Sequence, residues 1–242
     1  MEKNTKNRRT YLILRDVLAE RIAQGTYPAN EKLPAERELA EELNTTRLTL
    51  RDALFQLEIE GKVFRMDRRG WYVSGKRLSF DLNKDIGFMT NLREQGQEPG
   101  TELIFCEEEP ASSMLAKVLN IAKGAAVYHI QRKRTINQRP VLMEDIYLDV
   151  RRCPGLQHTN LSGSLSVVLT DVYAINVKYA DIQITPIAFN ELHAKSLQVS
   201  PGTPGTLITR ISYDGNDNVV QLDQEYWLSD VLRLDVRTSE KF

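Results

Sequence analysis

The feature that most constrains the fold is a change of hydrophobic period within the first seventy-five residues. From Arg9 to Gln24, Tyr11, Leu14, Leu18 and Ile22 recur every three or four residues, which predicts a helix with one apolar face. Gly25 ends it and Tyr27-Pro28 leads away. Pro34 suits the first turn of a second helix, which buries Leu39, Ala40 and Leu43. Thr46 can cap a third, in which Leu50, Ala53, Leu54 and Leu57 keep the helical spacing. Gly61 stops that helix. Lys62–Met66 and Trp71–Val73 then read as two strands joined by Asp67-Arg68-Arg69-Gly70. Three helices and a hairpin in this order make a winged helix-turn-helix.

The polar residues of the third helix sit where a nucleic acid would lie. Arg47 and Arg51, one turn apart, face away from the apolar stripe, with Thr49 near them at the amino end. In helix-turn-helix proteins the start of this helix enters the major groove. Arginine there donates two hydrogen bonds to guanine or reaches phosphate, and threonine can do the latter. Arg68-Arg69-Gly70 adds two cations and a tight turn beside a minor groove or the backbone. Two arginines on a helix are more often plain solvated surface. Joined to a basic hairpin in this order, they point to double-stranded DNA. Residues 1–77 hold 16 Lys and Arg against 12 Asp and Glu, and residues 78–242 hold 16 against 21. That asymmetry agrees with a polyanion-binding module but decides nothing alone.

A length of 242 residues is comfortable for two domains, and 41% hydrophobic with 27% charged residues is an ordinary globular balance. No stretch approaches the ~18 consecutive apolar residues of a membrane span. The basic start MEKNTKNRRTY is followed by no apolar segment with a cleavage site, so no secretory signal is expected. Cys106 and Cys153 cannot build a disulfide framework, which fits a reducing cytoplasm. His129, His158 and His193 lie far apart in sequence, so neither a metal nor a cofactor is expected.

Residues 76–92 lack a long periodicity and are expected to link the reading domain (9–75) to a second domain (93–242). That second domain alternates strands and helices: strands at 101–109, 126–136, 141–150, 177–187, 207–213 and 219–228, helices at 111–120, 164–174 and 188–197. Asn137–Pro140 and Asp214–Asp217 read as hairpin connections, which require antiparallel pairing. The fold class is therefore α+β, not a doubly wound parallel sheet. Within Tyr128–Ile136 the even positions put Arg132 and Arg134 on one face with Tyr128, Ile130 and Ile136. Glu144 shares a face with Leu142, Ile146 and Leu148, and Gln221 with Val219 and Trp227. Arginine is rarely buried without a partner. These faces describe either a small-molecule pocket or an Arg–Glu pair that ties two strands together.

The run LPAERELAEELNTTRLTLRDALFQLEIEGKVFRMDRRGWYVSG resembles the DNA-binding domain of the GntR family of bacterial transcription regulators. By that resemblance Arg37, Arg47, Thr49 and Arg51 match the family's DNA contacts and Gly70 its wing-tip glycine, with Ala35 and Leu48 departing from the commonest residues. The rest is similar to the UTRA effector domain of the HutC-type branch, whose fold resembles chorismate lyase. The matching features are Gly96, Pro99, Arg132-x-Arg134, Pro140-Val141, Glu144, Leu161–Leu165 and the 205–230 region. The resemblance implies that Arg132, Arg134 and Ser164 hold an anionic effector, and that Glu144 accepts from its hydroxyls or amine. Gln221 and Trp227 stand where some amino-sugar-phosphate sensors carry a carboxylate and a tyrosine. A sugar phosphate leads over a phosphonate or carboxylate effector. The implied regulator is a homodimer on a palindromic operator, a repressor before an activator. Neither a Ser/Cys–His pair, a phosphate-cradling glycine loop nor a metal cluster is present, so catalysis on the lyase-like fold is not expected.

Overall fold

The computed structural model describes residues 2–81 and 87–236, with side chains from residue 10 onward. Helices α1 (Glu2–Ala23), α2 (Glu36–Glu42) and α3 (Arg47–Ile59) precede a hairpin of β1 (Val63–Met66) and β2 (Gly70–Val73). Leu14, Leu18, Leu39, Leu50, Leu54 and Leu57 from the three helices close one core against Val63, Trp71 and Val73. Thr46 starts α3 by accepting from the Thr49 amide at 3.2 Å, which satisfies one of the helix's orphan donors. The hairpin register pairs Met66 with Gly70. Its turn needs positive φ at Arg68 (58°) and Gly70 (101°), and glycine adopts such angles without a Cβ clash.

The second domain is built on one antiparallel sheet. Its strands are β4 (Pro99–Pro110), β5 (Ala126–Ile136), β6 (Arg139–Asp149), β7 (Tyr179–Ala188), β8 (Pro204–Tyr213) and β9 (Val219–Leu228), ordered β4-β5-β6-β9-β8-β7. Alternation sends Tyr128, Ile130, Ile146 and Leu148 to the face covered by α6 (Leu165–Tyr173). Val127 and Leu222 turn to the opposite face, under α5 (Ser113–Val118). Met143, Ala194 and Leu197 share another cluster, which seats α7 (Glu191–Leu197) beside β6.

The connecting segment 76–92 departs from the expectation of a plain linker. It contains β3 (Leu78–Asp81) and most of α4 (Phe88–Glu94), and residues 82–86 lie outside the described chain. β3 pairs in parallel with β10 (Leu232–Asp235), Leu78 opposite Leu232 and Phe80 opposite Leu234. Four residues carry too short a pattern to read as a strand. What holds β3 is tertiary: Leu78 and Phe80 join the cluster of Leu92, Trp227 and Leu232. No helix among the described residues is long and apolar enough to cross a membrane.

Candidate functional site

In the reading head, Arg47 and Arg51 lie exposed on α3, opposite its buried stripe. Arg51 Nε donates to Glu36 at 2.6 Å, and Glu36 also accepts from Trp71 Nε1 at 3.2 Å. One carboxylate thus joins α2, α3 and the wing. Burial pushes the Glu36 carboxyl up, but its bonds to Arg51 and Trp71 hold it below the usual range. Thr49 does not join the two arginines on the open side. It is buried, with its hydroxyl 2.9 Å from that of Thr46, because it falls in line with Ala53 and Leu57 at four-residue intervals. Arg37 is exposed on α2, 4.0 Å from Glu41. At the wing, Arg68 and Arg69 are exposed beside Gly70.

The outer face of α3 looks at the molecule's own second domain. A cavity of about 350 Å³ separates Leu48, Arg51, Asp52 and Phe55 of α3 from the Ser200–Thr203 loop. Below it the head is docked. Asp67 N donates to Gln198 O at 2.9 Å. The Arg139 guanidinium lies 3.3 Å from the Phe64 ring centroid, within the reach of a cation–π contact. Arg139 also pairs with Asp230 at 2.9 Å, and Ser74 Oγ donates to Asp230 at 3.3 Å. Burial at this junction pushes the Glu58 carboxyl up to about 7; Asp230 adds to the rise and Arg65 opposes it.

On the six-stranded sheet of the second domain the register brings the singled-out residues together. Arg132 stands opposite Glu144 and Arg134 opposite Leu142. All three charged side chains are buried, and both arginines pair with Glu144, Arg134 through Nη2 at 2.9 Å. Arg132 Nη1 also donates to the Leu161 and Gly163 carbonyls at 3.2 Å each, which holds the chain leading into α6. Arg134 Nη1 reaches Thr101 Oγ1 at 3.2 Å, and its guanidinium lies 4.7 Å from the Phe88 centroid. Burial pushes the Glu144 carboxyl upward, but Arg134 and Arg132 together hold it below the usual carboxylate range. Of the two sequence alternatives, the ion pair is what this face displays.

Ser164 is the N-cap of α6, one residue beyond the Gly163 carbonyl that Arg132 holds, and its hydroxyl makes no capping bond. Trp227 packs on Phe80 (5.0 Å between centroids) and Phe88 (6.0 Å), and donates to Glu225 at 2.7 Å. Gln221 lies further along β9, opposite Ser212. Between Gln221 and Trp227 on the same face stand two carboxylates that the sequence reading passed over, Asp223 and Glu225. The alternation that singled out Gln221 and Trp227 contains both. Arg139 and Asp230 were missed because they act across a domain boundary, which strand periodicity cannot report.

The description "Bacterial regulatory proteins, gntR family" matches residues 10–73, and "UTRA domain" matches residues 94–233. This chain belongs to the GntR family, in its UTRA-carrying branch. The family's members at hand are transcription regulators and not enzymes. The HTH-type transcriptional regulator YihL of Escherichia coli K12 is 30% identical, covering 92% of this chain and 94% of its own. The HTH-type transcriptional repressor NagR of Bacillus subtilis is 27% identical over 84% of both chains. The crystal structure of PhnF from Mycobacterium smegmatis superposes with a TM-score of 0.67 at 27% identity, covering 94% of this chain and 99% of that one. GntR membership gives the head operator DNA as its partner, and the UTRA domain gives the sheet a small-molecule effector.

Proposed function

We propose that the protein is a cytoplasmic repressor that binds a palindromic operator as a homodimer and releases it when an anionic metabolite, a sugar phosphate first, occupies the sensor sheet. The observation that carries this reading is the pair of buried arginines sharing the single carboxylate of Glu144. Two fixed forks share one carboxylate, and beyond the Leu161, Gly163 and Thr101 oxygens they still carry N–H donors for a second anion. On this reading Arg132, Arg134 and Ser164 hold the anion, Glu144 takes a hydroxyl or amine, and Gln221 and Trp227 border the rest. Arg47 and Arg51 read the groove, and Arg37, Arg68, Arg69 and Gly70 meet the backbone. Thr49 serves in this role only through the cap it shares with Thr46. The name of NagR, and that of a probable fructoselysine utilization operon repressor of Escherichia coli K12 at 27% identity over 88% of both chains, supports repression. Half-sites are fixed by the duplex, so a modest change in the spacing of two heads suffices to lose affinity.

The test is a gel-shift titration of the full chain on duplex DNA from upstream of its own gene, with and without a panel of sugar phosphates and inorganic phosphate. Retardation with dimer stoichiometry, reversed by a phosphorylated sugar, is the expected result. DNA binding that no phosphorylated compound alters would sink the anionic-effector part and leave the DNA reader standing.

A further inference from the structure

Family resemblance counts Thr49 among the residues that meet DNA, but the fold takes it inside. Its side chain is 5% exposed, and its hydroxyl is engaged with that of Thr46. The residue left on the open side at the amino end of α3 is Leu48, 63% exposed, flanked by Arg47 and, one turn on, by Arg51. A single exposed leucine on a protein surface calls for no explanation. This one stands at the end of the helix that enters the major groove in helix-turn-helix proteins. Leu48 borders the space toward the Ser200–Thr203 loop, yet that loop leaves it open. Phe55 and Ile59 are exposed too, but they lie two and three turns further along α3, away from the groove-entering end.

Chemistry limits what Leu48 can do there. Its side chain has neither donor nor acceptor, so it can bond neither a phosphate oxygen nor a polar base edge. Pressed into the groove, it strips water from polar surface without compensation unless it meets an apolar group. The major-groove edges of the four base pairs carry one such group, the C5-methyl of thymine. Arginine, the residue type on either side of it, most often reads the O6 and N7 of guanine. We infer that Leu48 is a specificity-determining residue of the reading head, selecting a thymine by its methyl group beside a guanine read by Arg47 or Arg51. This rests on the groove reading of α3 and adds a base to it.

The experiment removes the methyl group and nothing else. Duplexes enriched from a randomised pool by the full chain give its preferred half-site. Each thymine in that half-site is then replaced in turn by uracil, which keeps the pairing and every polar edge group. At one thymine the replacement should weaken binding in a gel shift about fourfold, the equivalent of the ~0.8 kcal/mol of one buried methylene. In L48A, whose melting curve should match the wild type because the position is exposed, the same replacement should make no difference. A half-site in which no uracil weakens binding overturns the inference and leaves the arginine contacts standing. A methyl effect that persists undiminished in L48A overturns the assignment to Leu48. Enrichment of no sequence overturns both this inference and the groove reading on which it rests.

Discussion

Arginine does opposite work in the two halves of this molecule. In the reading head Arg47, Arg68 and Arg69 stand in solvent, and even Arg51, bonded to Glu36, keeps 54% of its side chain exposed. In the sensor Arg132 is 3% exposed, Arg134 7%, and each is held by Glu144. The head keeps its folding determinants in an apolar core and its recognition determinants on the outside, so each can change without the other. The sensor folds and recognises with the same groups. Altering its specificity therefore disturbs its stability.

The largest effect expected from this contrast is in the sensor. E144L should cost ~3–5 kcal/mol, because it removes the carboxylate that two buried guanidinium groups share. Adding R132M and R134M should recover part of that loss, since removing both sides of a buried pair costs less than removing one. Urea denaturation of the three proteins checks both statements. A single variant no less stable than the wild type would mean that the pairing contributes nothing.

Next in size is the head. R47A should lose roughly tenfold or more in operator affinity, the ~1–3 kcal/mol of one base contact. Its unfolding free energy should stay within ~0.5 kcal/mol of wild type, as for other exposed positions. A parallel fall in both quantities would erase the distinction between the two halves.

The last effect is at the junction between them and is read as a pH dependence. Burial raises Glu58 from 4.5 to about 7 and Asp230 of the second domain adds to the rise, so a head that leaves the junction holds this proton less tightly. Docking is then tightest when Glu58 is protonated and weakens as pH rises through about 7. Proteolysis of the connection at residues 74–77 should speed up between pH 5 and 7.5, and E58Q should flatten that dependence. An identical pH profile for E58Q would remove Glu58 from the junction.

The same contrast decides what could be read from sequence. Helices α2 and α3, the wing and the β5–β6 hairpin announce themselves through local periods and turn residues; β5 spans Ala126–Ile136, the expected range. Arg132, Arg134 and Glu144 were legible because strand alternation puts charge on an apolar face. The pairing of β3 with β10 was not, because each strand has four residues and the partners are about 150 positions apart. Thr49 was misplaced for another reason. Its residue type fits a phosphate contact, while its spacing to Ala53 and Leu57 puts it inside, and spacing prevailed.

The β3–β10 pair also sets a mechanical limit. Only residues 74–77 separate the end of the wing from β3. At ~3.6 Å per residue the steps from Val73 to Leu78 span roughly 18 Å at full stretch. So short a leash keeps the head at a high effective concentration near the sensor, in the millimolar range typical of short linkers. A few weak contacts are then enough to recapture it. Any swing of the head beyond the leash must peel β3 from β10, and the travel open to the reading helix is measured by how firmly four residues of strand hold to the tail end of the chain.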